Sequence, residues 1–174
     1  MKNGFTVLEL VLSMAIIMII TSFGIMQFGD MEKRELNRIR IEFNLFIDNA
    51  ALHCLNSGER SNIVLDFNNK VITAKGPRYN KKYKLPKKLN YFIKDGNKTI
   101  LDKFEFQLNS TGNANKMFVI YISDKHKKKV LHRIGIYSIS VVKYVKIRQF
   151  VPKKSPLYLT DDKFYEIEKW KEIQ

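Results

Sequence analysis

Between Glu9 and Asp30 the chain runs twenty residues without a charge. No other feature limits so strongly what it can fold into. A run of that length matches the roughly 20 apolar residues that a bilayer-crossing helix requires. Drawn as a helix, residues 5–28 extend about 36 Å at about 1.5 Å per residue, more than the ~30 Å hydrocarbon thickness. The order of parts differs from a cleaved secretory signal. The leader is only Met-Lys-Asn-Gly, the apolar run is too long, and no Ala-x-Ala site closes it. One residue is out of keeping. Glu9 places a carboxylate inside the segment, at a cost of roughly 2.5–3.5 kcal/mol near a membrane-helix centre, so a compensating cation is expected.

Glu9 lies four residues after Phe5, and positions i and i+4 share a helix face. Cutting the chain between Gly4 and Phe5 would create an α-amino cation at Phe5. That group could neutralise Glu9 within the chain or from a neighbouring copy, which removes much of the burial penalty. Gly4-Phe5-Thr6-Val7-Leu8-Glu9, with the apolar run behind it, resembles the processing site of type IV prepilins and pseudopilins. The resemblance implies that a prepilin peptidase cuts after Gly4 and N-methylates Phe5. It further implies that Glu9 registers subunits during filament assembly and that Lys2 supplies the positive, cytoplasmic leader. Other pilin or pseudopilin subunits, the peptidase and the membrane are then the partners. The location implied is a single-pass protein of a bacterial plasma or inner membrane. Its C-terminal domain is extracytoplasmic and reaches the cell surface or periplasm after assembly.

Residues 29–57 continue as an amphipathic helix. Leu36, Ile39, Phe43, Phe46 and Ala50 form a one-sided stripe, suited to packing on a sheet of the same chain, and Gly58 suits a left-handed cap. Residues 58–150 read as an antiparallel β domain. Ile63, Leu65 and Phe67 alternate with polar neighbours, as do Leu89, Tyr91 and Ile93, and Phe104, Phe106 and Leu108. Asp95-Gly96 reads as a turn, and Gly135 as a candidate bulge in a strand region from Val130 to Tyr144. The expected fold class is therefore α+β: a long N-terminal helix, membrane-spanning in its first half, packed on an antiparallel sheet. The span from Phe106 to Gly112, followed by two strands, resembles H-type minor pseudopilins, their FimT-like relatives and Gram-positive competence pseudopilins. Lys127-Lys128-Lys129 stands where that subgroup carries a glycine-rich turn. Residues 151–174 read as a C-terminal extension. Pro152 and Pro156 mark a linker, and Thr160 is placed to cap a short helix bearing Phe164, Ile167, Trp170 and Ile173.

Charged residues make up 28% and aromatics 12%, enough apolar content for a packed core. The net charge of +14 favours anionic partners such as DNA or an anionic cell-envelope polymer. Three basic clusters carry it. The first holds Arg78, Lys81, Lys82, Lys84, Lys87 and Lys88 around Tyr79 and Tyr83, which are expected exposed. The second holds Lys125, Lys127, Lys128, Lys129 and Arg133, and the third Lys143, Lys146 and Arg148. Lys81, Lys82, Lys84, Lys127, Lys128 and Lys129 are the candidate anion or DNA contacts, since lysines beside exposed rings can follow phosphates and stack bases. Cys54, the single cysteine, excludes an intramolecular disulfide and reads as a buried apolar residue. His126 and His132 read as surface residues, and His53 as a residue at a helix C-terminal end. No phosphate loop, nucleophile elbow or zinc spacing is present. The expectation is a non-enzymatic protein without cofactor or metal: a minor pilin-like subunit serving DNA uptake, type II secretion or surface attachment. The alternative is a membrane-anchored basic binding module that does not polymerise.

Overall fold

The computed structural model describes residues 7–29, 31–95, 98–138 and 144–173. Lys2, Gly4, Phe5, Gly96 and Lys143 lie outside the described residues. The chain divides into two units at Arg34/Glu35.

In the first unit, helix α1 covers Val7–Gly29. Its hydroxyl groups are satisfied within the helix: Ser13 Oγ donates to the Glu9 carbonyl (2.7 Å) and Ser22 Oγ to that of Met18 (2.7 Å), the usual i−4 bond of such residues. Helix α2 covers Met31–Ser57 and lies almost entirely in the second unit. It buries Ile39, Phe43, Ile47, Ala50, Ala51 and Cys54, a stripe at helical spacing, with Leu36 and Phe46 packed at its margin. Gly58 ends it as expected. Its φ of 68° is one a side chain rarely adopts, and its N–H donates to the Cys54 carbonyl at 2.9 Å.

Eleven strands follow among the described residues: β1 Ser61–Asp66, β2 Val71–Gly76, β3 Tyr79–Lys84, β4 Asn90–Asp95, β5 Lys98–Ile100, β6 Lys103–Leu108, β7 Phe118–Ser123, β8 Lys129–Tyr137, β9 Lys146–Pro152, β10 Leu157–Tyr158 and β11 Trp170–Ile173. They form a four-stranded sheet, β3-β2-β1-β6, and a seven-stranded sheet, β11-β9-β8-β7-β4-β5, with β10 pairing β8. All pairings are antiparallel. Period-two alternation sets the register: Ile63 stands opposite Ala74 and Phe106, and Leu65 opposite Ile72 and Phe104.

The seven-stranded sheet is covered on both faces. Tyr91, Ile93, Ile120, Ile122, Ile134 and Ile136 join a core with α2, β1, β2 and β6. Phe92, Tyr121 and Phe150 join a second, aromatic core with Leu157, Phe164 and Trp170. Burial on two faces explains why β7 reads as an unbroken apolar run rather than an alternation. A bulge at Leu131, left unpaired between Ile122↔His132 and Ser123↔Val130, reverses the alternation of β8 and delivers Val130 to the aromatic core. Gly135 is not a bulge. It stays in register opposite Val119 and Arg148, and the Tyr137 ring lies where its Cβ would stand, 2.5 Å away.

These observations correct the expected α+β class. Two helices account for about 30% of the chain, and the rest of the architecture is two antiparallel sheets, a mostly-β fold. Among the described residues no helix is long and apolar enough to cross a membrane. The helix expected to run on through residue 57 is described as α1 and α2 on either side of Asp30, which lies outside the described residues. The strand content was underestimated because several strands have no apolar alternation to announce them. β3 reads Tyr-Asn-Lys-Lys-Tyr-Lys, a basic segment by composition. The helix expected after Thr160 does not form: turns and a single 3-10 turn at Ile167–Lys169 lead into β11, which pairs with β9. Trp170 stands opposite Pro152, so the expected linker proline ends a strand of the sheet.

Candidate functional site

Glu9 lies in the first turn of α1 and is exposed, with its carbonyl accepting from Ser13. Of the sequence-predicted processing and assembly residues it alone falls among those described.

The first basic cluster is an edge strand. Among the described residues β3 pairs only with β2, and Lys81, Lys82 and Lys84 are exposed on it. Lysines at a sheet edge also discourage pairing with another chain. The tyrosines between them do not share that exposure. Tyr79 stacks on His53 of α2, with centroids 4.6 Å apart, and Tyr83 packs against Phe46 at 6.0 Å. Burial pushes both hydroxyls above their ordinary range. The expected combination of lysines and base-stacking tyrosines is therefore corrected: the two rings pack against α2, Lys82 and Lys84 alternate to the opposite face, and Lys81, although on the tyrosine side, stays exposed. His53 is held by that stacking, near the C-terminal end of α2.

The second cluster is the turn between β7 and β8, and one acid builds it. Asp124 Oδ1 accepts from the N–H groups of Lys128 (2.7 Å) and Lys129 (2.9 Å), while Lys127 sits at φ 54°. Lys125, Lys127, Lys128 and Lys129 are exposed. Arg133, expected with them, is not. It is 7% exposed, its guanidinium 4.9 Å from the Phe150 ring centroid and 6.0 Å from that of Tyr121, a cation–π arrangement inside the aromatic face. His126 is exposed, whereas His132 is 1% exposed, contrary to expectation. Its Nε2 lies 2.8 Å from Gln149 Oε1, and Gln149 Nε2 donates to the Arg40 carbonyl (2.6 Å) and to Asn44 Oδ1 (2.8 Å). This chain ties β8 and β9 to α2. Burial lowers the His132 pKa to about 4, so the ring is neutral at pH 7. In the third cluster, Lys146 is exposed and Arg148 Nε pairs with Glu172 at 3.1 Å.

Lys70, at φ 52°, joins parts of the first two clusters and was not singled out from the sequence. Its Nζ donates to the carbonyls of Lys87 and Leu89, the latter at 2.7 Å. Its pKa is lowered, by burial first, with the nearby Lys127 charge adding to the effect against the opposing pull of Glu35. Lys127 also lines a cavity of about 370 Å³, at the small end of the ~300–1,000 Å³ typical of ligand sites. The cavity lies against β4 and the segment after β10, where Phe92, Lys94, Leu159 and Phe164 meet. Sequence reasoning missed it because its wall is built by residues 159–164, which fold back only through tertiary pairing. Among the described residues no group of three or more His, Cys, Asp or Glu could hold a metal ion. The chain matches no family model, no curated protein and no solved structure.

Proposed function

We propose that this protein is a minor pilin-like subunit, cut after Gly4, N-methylated at Phe5 and drawn from the membrane into a short filament. The observation that carries this reading is the Gly4-Phe5-x-x-x-Glu9 spacing followed by twenty uncharged residues. In this reading the apolar N-terminal segment retains the chain in a bacterial plasma or inner membrane. A new amino terminus at Phe5 neutralises Glu9 there, and a prepilin peptidase and other pilin or pseudopilin subunits are the partners. The filament serves DNA uptake, protein secretion or surface attachment.

The exposed lysines of β3 and of the β7–β8 turn support contact with DNA or an anionic envelope polymer, by phosphate-type electrostatics without base stacking. They also favour a second reading, a membrane-anchored basic binding module that does not polymerise. Glu9→Ala separates the two. A filament subunit loses co-assembly, read by shearing or cross-linking of filaments from cells, while its domain stays folded. Unchanged assembly in that variant refutes the filament reading, and a wild-type chain that never leaves the membrane fraction selects the anchored module.

A further inference from the structure

The cavity against β4 has a lining that apolar packing alone does not explain. Ser123 is 1% exposed, lines the cavity, and its Oγ has no hydrogen-bond partner. An unsatisfied buried hydroxyl calls for a partner that the chain does not supply. Two cations line the same space, Lys94 and Lys127, and neither is paired with a carboxylate among the described residues. Lys94 Nζ instead lies 4.6 Å from the Tyr165 ring centroid and 5.5 Å from that of Phe164. A cation held over ring faces keeps its net charge available to an anion.

Flat apolar surface and hydrogen-bond acceptors complete the lining. Phe92 and Phe164 meet edge-on at 6.0 Å, which gives the cavity two differently oriented aromatic walls. Asn90 spends its Nδ2 on the carbonyls of Asp124 (2.8 Å) and Lys125 (3.1 Å), leaving Oδ1 as an acceptor, and Asp162 adds a carboxylate. Acceptors of this kind suit amino and hydroxyl donors, aromatic walls suit a planar ring, and lysines suit a phosphate.

We infer that this cavity binds a nucleoside monophosphate, its phosphate held by Lys94 and Lys127, its base against Phe92 and Phe164, and its donor groups on Asn90, Asp162 and Ser123. The site is separate from the exposed lysines of β3 and independent of the filament reading.

Calorimetric titration of the full chain in neutral detergent tests it, with AMP, adenosine and inorganic phosphate as probes. The expected result is saturable one-to-one AMP binding, with adenosine and phosphate each at least tenfold weaker. Lys94→Gln and Lys127→Gln each reduce AMP affinity at least tenfold, whereas a Lys81→Gln/Lys82→Gln/Lys84→Gln variant binds as wild type does. Ser123→Ala, a small change that tests the pocket without removing charge, weakens binding severalfold. Three results overturn the inference: no AMP binding at millimolar concentration, phosphate binding as well as AMP, or loss of binding in the β3 variant with Lys94→Gln unaffected. Circular dichroism of each variant separates lost binding from lost fold.

Discussion

The two faces of the seven-stranded sheet are sealed by different means. One is covered by α2 and the four-stranded sheet, with mostly aliphatic contacts around Phe43, Ile47, Ile120 and Ile134. The other is covered by the segment after β9, with a cluster of rings: Phe92 stacks on Tyr121 at 5.4 Å, Phe164 meets Tyr121 edge-on at 5.3 Å, and Trp170 lies 6.0 Å from Tyr121. The helix-covered face is built from long elements whose apolar spacing dictates their burial. The ring-covered face is built by short pieces, β10 of two residues and β11 of four, that hold few backbone bonds of their own. Large rings with fixed edge-to-face geometry let so little chain close a sheet, each pair adding about 0.5–1.5 kcal/mol beyond area burial.

Truncation on each face tests this difference most strongly. Phe43→Ala is expected to destabilise by about 4 kcal/mol, because its site is walled by a helix and both sheets and cannot collapse. Trp170→Ala is expected to cost about 3 kcal/mol. It also strands the Phe164 carbonyl that Trp170 Nε1 now reaches at 2.7 Å, but its edge strand can open locally without unfolding the rest. Urea denaturation followed by both near- and far-ultraviolet circular dichroism measures the two. If Trp170→Ala proves the more damaging, the ring-covered face is the principal core and the ranking is reversed.

A pH titration sharpens the comparison, because the helix-covered face alone contains a buried neutral imidazole. His132 has a folded pKa of about 4 against 6.5 for the free side chain. Between those values the unfolded chain binds more protons, so stability falls as pH drops from 6.5 to 4, by up to about 3 kcal/mol. Asp48, raised by burial, acts in the opposite sense at the acid end of that window. His132→Leu should flatten the dependence of the urea midpoint on pH between 6.5 and 4.5. An unchanged slope would assign it to other groups.

A smaller effect is expected where α2 meets the loop after β6. Gly112 has φ 74°, and a Cβ there would come within 2.9 Å of the Ala51 carbonyl oxygen. Gly112→Ala should cost about 2 kcal/mol through strain and displaced packing. Gly58→Ala, with the same backbone sign and open space around it, should cost about 1 kcal/mol. Thermal unfolding of the pair tests whether close approach to α2 or the left-handed backbone alone sets the difference, and equal melting temperatures would favour the backbone.

Elements whose spacing and burial agree were legible in advance: the α2 stripe, β1, β4, β6 and the Gly58 cap. The misses share one cause. A local pattern identifies an element only when one face is buried and the other wet. β3 is a basic edge strand, so its two inward tyrosines looked like exposed rings among lysines. Phe164, Ile167, Trp170 and Ile173 recur every three residues and mimic a helix, yet only Phe164 and Trp170 of the four are buried, one in a turn and the other at the start of β11. His132 and Arg133 stand beside a basic turn and looked solvated. Alternation along β8 sends them to opposite faces, one toward α2 and the other into the rings. The Lys127 turn was read as basic surface, but its place beside the cavity depends on residues 159–164.

By itself the sequence determined the uncharged run with its single acid, the amphipathic helix, the alternating strands and the excess of positive charge. These are properties of nearest neighbours and of short periods. Only the tertiary structure decided that the fold is mostly β, that the last segment closes the second face, and which cations stay in water. Those outcomes depend on pairing between residues far apart in the chain, where burial of rings and satisfaction of buried polar groups outweigh local preference.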